Sequence, residues 1–167
     1  MKYAATFIGW SNTGKTGLIT ELIRGFSDRG FRVSALKSSH VPADIDVPGK
    51  DTDRFFQSGA EQVGYFSSQG GFIRFRRNPP TECLGELFSE CDILLVEGLR
   101  LHEFPCLEVV SERNPREGYK CAAGEVSAYV AAGPGSFSDR PAPDTPIFSA
   151  SNTEGIMDFL EEKWTER

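Results

Sequence analysis

Residues 9–16 read Gly-Trp-Ser-Asn-Thr-Gly-Lys-Thr, which combines two glycines, a lysine and a hydroxyl residue at the spacing of a phosphate-binding loop. The segment fits the pattern G-x-x-x-x-G-K-[ST] in full. Such a loop curls tightly around an anion, and Gly9 and Gly14 leave room for its backbone N–H groups to approach phosphate. Lys15 would reach the β- and γ-phosphates, and the Thr16 hydroxyl would ligate the Mg²⁺ that bridges them. These residues predict a site for a purine nucleoside triphosphate.

Residues 38–54 form a second segment with chemistry to offer, a long polar loop in which aspartates and cations alternate. Its charged residues are Asp44, Asp46, Lys50, Asp51, Asp53 and Arg54. A loop that leaves the carboxyl end of a strand can supply a magnesium ligand and an acid or base near a γ-phosphate. Any single aspartate is better explained as a solvent-exposed residue of a polar loop. The aspartates taken together favour a functional role for the loop.

Glu97 closes an apolar run that begins near Cys91, as a buried parallel strand would if its carboxyl end opened on a ligand site. Glu97 could hold Mg²⁺ through a water or orient an attacking water. The alternative is that it is the first exposed residue after a strand, and its position favours the functional interpretation. For catalysis, Lys15 would stabilise charge on the transferring phosphoryl group, and Asp51 or Glu97 would orient water.

The flanking elements fit this site. Residues 3–8 are an apolar strand, and the apolar residues after Lys15 recur at helical spacing until Gly30. Residues 31–37 alternate as a second strand. The order strand, loop, helix, strand predicts a right-handed crossover and parallel pairing.

The remaining elements complete an α/β domain. We expect a helix over 51–59, a hairpin of strands 62–66 and 72–75, a helix after Pro80, strands over 105–110, 127–132 and 146–149, and a last helix that begins with a capping box of Ser151 and Glu154. The sequence predicts a single P-loop nucleotide-binding domain over 1–167. Its fold would be a P-loop NTPase fold with a mostly parallel central sheet, flanking helices and an added β-hairpin region.

The composition excludes several other classes of protein. A net charge of −6 and a pI near 5.0 argue against a nucleic-acid binder, and the basic cluster Arg74, Arg76 and Arg77 fits a solvated strand end. The cysteines, at positions 83, 91, 106 and 121, lack the spacing of a zinc site or disulfide framework and fit small buried hydrophobes. No signal peptide or membrane span is recognisable. We expect a soluble, cytoplasmic, reduced protein.

Three motifs together resemble the MobB family, molybdopterin-guanine dinucleotide biosynthesis protein B. The most specific is the segment 46–54, Asp-Val-Pro-Gly-Lys-Asp-Thr-Asp-Arg, which is similar to the family's D-x-x-G-K-D-[ST]-x-R stretch. The phosphate loop and the strand that ends at Glu97 and Gly98 are the other two. The chain departs from the family pattern just after the second strand. Relatives carry several histidines there, whereas this chain has Ser38, Ser39 and His40.

The resemblance implies a GTP-binding accessory protein that requires Mg²⁺, hydrolyses GTP weakly and forms a homodimer. It would assist a MobA-type nucleotidyltransferase in attaching GMP to molybdopterin, in contact with molybdopterin or its enzyme complex. It implies nucleotide binding by Gly9, Ser11, Asn12, Thr13, Gly14, Lys15, Thr16, Gly17, Lys50 and Arg54, and magnesium binding by Thr16, Asp51 and Glu97. Guanine preference depends on the resemblance alone, because the sequence has no N-K-x-D motif.

Two alternatives stay open at this point. One is an ATP-dependent small-molecule kinase or ligase of the same fold, similar to dethiobiotin synthetase, with segment 38–54 as an acceptor pocket. The other, compatible with a GTP-binding adapter, is a switch in which that segment orders around the γ-phosphate and is released after hydrolysis.

Overall fold

The computed structural model describes residues 2–42, 45–111, 118–133 and 142–166. The chain divides into two compact units, one built from residues 1–38 and 85–167 and a smaller one from residues 39–84. That the chain forms one functional domain stays a prediction. In chain order the elements are β1 (Tyr3–Ile8), α1 (Lys15–Asp28), β2 (Val33–Lys37), α2 (Asp51–Gln57), β3 (Gln62–Ser67), β4 (Gly70–Phe75), a 3-10 turn (Thr81–Cys83), α3 (Leu84–Leu87), β5 (Ile93–Glu97), β6 (Cys106–Val110), β7 (Ala128–Ala131), β8 (Ile147–Ser149) and α4 (Thr153–Thr165).

The larger unit contains a six-stranded sheet in the order β2-β5-β1-β6-β7-β8, and every neighbouring pair is parallel. The predicted direct pairing of β1 with β2 is wrong, because β5 lies between them: Leu95 is in register with Ala5 on one side and with Ala35 on the other. The physical reason is burial. Residues 93–96 of β5 are fully buried, and an apolar strand of this kind is most stable inside a parallel sheet.

Helices α1 and α4 share a core with one face of this sheet. Alternate residues of β1, such as Ala5 and Phe7, point into that core, while Ile8 points into a second cluster with Tyr129 on the other face. Trp164 of α4 also donates a hydrogen bond from Nε1 to the carbonyl oxygen of Ala4, at 2.7 Å. The last helix is therefore joined to the strand that leads into the phosphate loop.

The smaller unit is the predicted hairpin with a helix beside it. β3 and β4 pair antiparallel, with Tyr65 opposite Phe72, and helix α2 precedes them. The predicted fold class, a mostly parallel sheet with flanking helices and an added hairpin, is confirmed. The described residues include no helix with the length and hydropathy needed to cross a bilayer.

Local predictions have mixed outcomes. Cys91, Cys106 and Cys121 are buried free thiols as expected, and Cys83 is half-buried. The helix predicted after Pro80 is only a 3-10 turn followed by one helical turn. A short run of apolar residues cannot support more, because helix nucleation is costly.

The capping box predicted at Ser151 is wrong. The N-cap of α4 is Asn152, whose side-chain oxygen accepts a hydrogen bond from the N–H of Gly155 at 3.1 Å. The Ser151 hydroxyl instead contacts the hydroxyl of Ser149 at 2.8 Å. Asparagine caps a helix as well as serine does, so adjacent candidates cannot be distinguished by residue type.

This cap can be tested by paired alanine substitutions. Asn152→Ala is expected to lower the free energy of unfolding by about 1 kcal/mol, because the N–H of Gly155 loses its acceptor. Ser151→Ala is the matched control and should change it by less than about half of that amount. Urea denaturation followed by circular dichroism measures both. A larger loss in Ser151→Ala would restore Ser151 as the cap.

Candidate functional site

The phosphate loop occupies the turn between β1 and α1, at the carboxyl end of the sheet. Gly9 has φ +148° and Gly14 has φ +93°, both in the range that favours glycine. A Cβ at Gly9 would lie 2.4 Å from the carbonyl oxygen of Val109 in β6. The loop therefore packs directly on the backbone of the neighbouring strand at Gly9, and both glycines have backbone conformations that other residues rarely adopt.

Lys15 holds the loop in a closed curl. Its Nζ donates hydrogen bonds to the carbonyl oxygens of Gly9 at 3.1 Å and Trp10 at 2.6 Å. The buried Thr13 hydroxyl donates to the same Trp10 oxygen at 3.0 Å. Burial lowers the pKa of Lys15, the carboxylate of Glu97 opposes that effect, and Lys120 and Lys37 add to it through charge repulsion. An arriving phosphate would relieve this repulsion.

Thr16 and Glu97 come together although they are far apart in the sequence. The Thr16 hydroxyl donates to Oε2 of Glu97 at 2.8 Å, and Lys37 Nζ lies 3.5 Å from Oε1. Parallel pairing of β1 with β5 sets Glu97 in register with Phe7, just before the loop. The arrangement therefore offers two neighbouring oxygen ligands at the phosphate end of the sheet.

The Thr16 hydroxyl and the Glu97 carboxylate suit Mg²⁺ better than they suit a metal ion whose ligands all come from the protein. In the described ranges, no three His, Cys, Asp or Glu side chains converge as a metal site. Magnesium usually takes one or two protein ligands and completes its octahedron with phosphate oxygens and waters. Thr16 and Glu97 have the right donor chemistry for that arrangement.

The other predicted residues belong to the smaller unit. Lys50 is the N-cap residue of α2, Asp51 is its first residue, and Arg54 follows within the next turn. Lys50, Asp51 and Arg54 are all exposed at the surface of that unit, and their predicted roles at phosphate and magnesium stay predictions. Ser11, Asn12 and Gly17 flank Lys15 in the larger unit, and Asp44 lies outside the described residues.

Asp46 and Asp53 have a structural environment that sequence did not reveal. Arg74 Nη1 lies 3.5 Å from Asp46 Oδ2 and 3.3 Å from Asp53 Oδ1. The Thr52 hydroxyl donates to Asp46 at 2.8 Å, and the N–H of Gly49 donates to Asp53 at 2.9 Å. The Gly49 hydrogen bond, more than the guanidinium, holds the pKa of Asp53 below its usual value. These two acids fold the loop around Arg74.

The basic cluster is correspondingly more than a solvated strand end. The guanidinium of Arg74 lies 3.7 Å from the ring centroid of Phe56, and that of Arg76 lies 4.3 Å from it. Arg76 also donates to the backbone oxygens of Phe56 and Ala60. The prediction of a solvated strand end is wrong for Arg74, which is half-buried within β4. It holds for Arg76 and Arg77, which are exposed just after the end of that strand.

A cavity of about 740 Å³ lies beside the phosphate loop, at the carboxyl ends of β6, β7 and β8. It is lined by Asn12, Thr13, Gly14, Ser111, Ala131, Ala132, Gly133, Ser149, Ala150 and Ser151. None of these described lining residues is charged, and the size suits a small organic ligand. The sequence analysis missed the cavity because small residues from four separate segments form it and, outside the phosphate loop, none of them belongs to a ligand-binding motif.

Comparison with known proteins agrees with the motifs. The family model described as "Molybdopterin guanine dinucleotide synthesis protein B" matches residues 4–132. The chain is 31% identical over 169 residues to the molybdopterin-guanine dinucleotide biosynthesis adapter protein of Escherichia coli K12, covering 96% of this chain and 92% of that protein.

Solved structures show the same fold. The crystal structure of Bacillus subtilis MobB matches with a TM-score of 0.70 and 22% identity, covering 95% of this chain and 98% of that one. Hydrogenase maturation factor HypB from Archaeoglobus fulgidus matches with a TM-score of 0.50 and 16% identity, covering 95% and 88%. The P-loop NTPase fold expected from the sequence is thus confirmed.

Two glycines in opposite environments give a test of the loop geometry. Gly9→Ala is expected to lower the free energy of unfolding by about 2 kcal/mol or more, because of the left-handed φ and the contact with Val109. A Cβ added to Gly17, in the first turn of α1, would meet no heavy atom of the described residues within 4 Å. Gly17→Ala should raise the free energy of unfolding by roughly 0.5–1 kcal/mol. Thermal denaturation would contradict the geometry if both variants shifted in the same direction.

Proposed function

The chain belongs to the MobB family, and from this membership we propose that it is a cytoplasmic GTP-binding adapter that acts with Mg²⁺ in making molybdopterin guanine dinucleotide. The observation that carries the proposal is the joined arrangement of Lys15, Thr16 and Glu97 at the phosphate loop. These are the charge and ligand types that a magnesium-bound triphosphate requires.

In the proposed complex, the chain's own groups divide the work. Backbone N–H groups of residues 11–17 receive the phosphates, and Lys15 turns its ammonium from loop carbonyls to the β- and γ-phosphate oxygens. Thr16 and Glu97 hold the magnesium. When bound there, Mg²⁺ would supply positive charge that offsets the negative charge of the phosphates.

Slow hydrolysis would follow from the surroundings of Glu97. Glu97 already accepts a hydrogen bond from Thr16 and faces Lys37, so it is better suited to a metal ligand than to a strong general base. The chain would then spend most of its time bound to GTP. Long occupancy suits an adapter that presents a state to a partner, and rapid turnover does not.

The cavity beside the loop is the candidate site for the base. Its lining of serine hydroxyls and small residues can accept a purine and hydrogen-bond its edge. We assign it guanine, because the relatives are named for guanine dinucleotide biosynthesis. The partner we propose is a MobA-type nucleotidyltransferase, alone or together with molybdopterin, since those relatives are named adapter proteins.

Calorimetric titration tests the nucleotide proposal. A non-hydrolysable GTP analogue is expected to bind at least about tenfold tighter than the ATP analogue, a difference of about 1.4 kcal/mol.

Lys15→Ala should abolish binding, because the phosphates lose their main cation. Glu97→Gln should bind the GTP analogue as the wild type does when magnesium is absent. It should lack the increase in affinity that magnesium gives to the wild type. Equal or tighter ATP binding would favour an ATP-dependent kinase or ligase instead.

We also propose that two copies associate through the smaller unit. β3 and β4 form a two-stranded sheet, and several of the unit's apolar side chains are exposed: Val41, Ile45, Val47, Phe55, Tyr65, Phe66 and Ile73. Phe66 is 78% exposed, which is unusual for a large aromatic side chain. Exposed apolar side chains of this kind are typical of interaction sites, and a second copy offers the same residues in return.

Sedimentation equilibrium measures this association. The wild type is expected to be a dimer at micromolar concentration, and Phe66→Ser should weaken the dimer at least about tenfold, because a central aromatic contact is lost. Leu87→Ser is the control, since Leu87 is an exposed apolar residue of the larger unit. A wild type that stays monomeric at high concentration contradicts the proposed dimer.

A further inference from the structure

Glu108 is a buried acid with an unusual set of partners. Glu108 lies in β6 and is only 1% exposed. It is in register with Ile8 of β1 on one side and with Tyr129 of β7 on the other. Its carboxylate accepts the backbone N–H of Lys120 at 2.5 Å and that of Cys121 at 3.2 Å. A buried carboxylate is tolerated only when it is hydrogen-bonded in this way. Glu108 therefore fixes the position of the chain around Lys120.

The same segment rests on the phosphate loop. Trp10 is the second residue of the loop, and its Nε1 donates to the carbonyl oxygen of Gly118 at 3.0 Å. The ammonium of Lys120 lies 5.4 Å from the centroid of the Trp10 ring. The segment 118–121 is thus attached at one end to a loop residue and at the other to the buried acid behind it.

Lys120 adds positive charge where the site is already positive. Three lysines act on this corner: Lys15 in the loop, Lys37 at the end of β2 and Lys120. Lys37 has Glu97 at 3.5 Å, whereas among the described residues Lys120 has no carboxylate within ion-pair distance. Repulsion of this kind is unfavourable until an anion arrives, and it raises the affinity for that anion.

The location of Lys120 also identifies which phosphate it would meet. The Nζ of Lys15, the group that reaches the β- and γ-phosphates, is bonded to the Trp10 carbonyl. In the proposed complex, Trp10 would therefore lie beside the ammonium that meets the terminal phosphate. Lys120 lies over the ring of that same residue.

We propose that Lys120 is a second phosphate-binding residue, which contacts the terminal phosphate of the bound nucleotide, and that Glu108 is its positioning residue. The inference depends on the proposed triphosphate binding. The sequence gives no sign of it, because Lys120 is the last residue of a charged turn and Glu108 stands alone in an apolar strand. The inference predicts that removing the Lys120 charge weakens the binding of GTP more than the binding of GDP.

Titration of a non-hydrolysable GTP analogue and of GDP against Lys120→Gln is the test. The dissociation constant for the GTP analogue is expected to rise about tenfold or more, as for a lost charge-assisted hydrogen bond, and that for GDP by less than about threefold. Lys120→Arg should restore most of the affinity. Lys163→Gln is the control, because it removes the same charge from α4, where Lys163 pairs with Glu166.

Glu108→Gln tests the positioning role with the same pair of ligands. It should reproduce the preferential loss for the GTP analogue, whereas a purely structural role would weaken both nucleotides equally. Unchanged affinity in Lys120→Gln, or equal loss for GTP and GDP, overturns the inference while nucleotide binding stands. Absence of nucleotide binding by the wild type overturns the proposed function itself.

Discussion

The close approach of Gly9 to β6 is the constraint on which the rest of the larger unit depends. With a side chain at Gly9, the loop could not rest on the Val109 carbonyl, and the loop carbonyls that receive Lys15 would shift. β1 must also be buried on both sides to hold its register with β5 and β6. Trp164, bonded to Ala4 from the last helix, contributes to that burial. Distant parts of the chain thus support one turn.

Parallel strand order explains how the site is assembled. Because β5 pairs directly with β1, its carboxyl-terminal Glu97 arrives beside Thr16. Because β6 pairs on the other side, Glu108 lies behind the loop and fixes the segment that carries Lys120. Each flanking strand therefore contributes one acid near the loop: Glu97 is half-buried beside Thr16, and Glu108 is buried as a structural anchor.

The smaller unit uses similar residue types for another purpose. Asp46 and Asp53 are satisfied by Arg74 and by hydrogen bonds within their own loop, which leaves Lys50, Asp51 and Arg54 as the remaining charges of the family's characteristic segment. A loop organised in this way can present charges in a fixed arrangement. Together with the exposed apolar residues of the hairpin, it gives the unit the character of an interaction surface, which fits a family whose relatives are named adapter proteins.

The sequence by itself determined the phosphate loop, the two elements that hold it and the family, because these depend on local spacing that survives without tertiary information. It also singled out Glu97 at the end of an apolar strand, and the structure places this acid within hydrogen-bond distance of the Thr16 hydroxyl. Only the tertiary structure decided that β5 separates β1 from β2, that Asn152 caps the last helix, that Asp46 and Asp53 bind Arg74, and that Glu108 holds Lys120 near Trp10. Those outcomes depend on contacts between residues far apart in the chain or on a choice between neighbours of equal propensity. In both cases burial and hydrogen-bond geometry, rather than residue type, select among equivalent candidates.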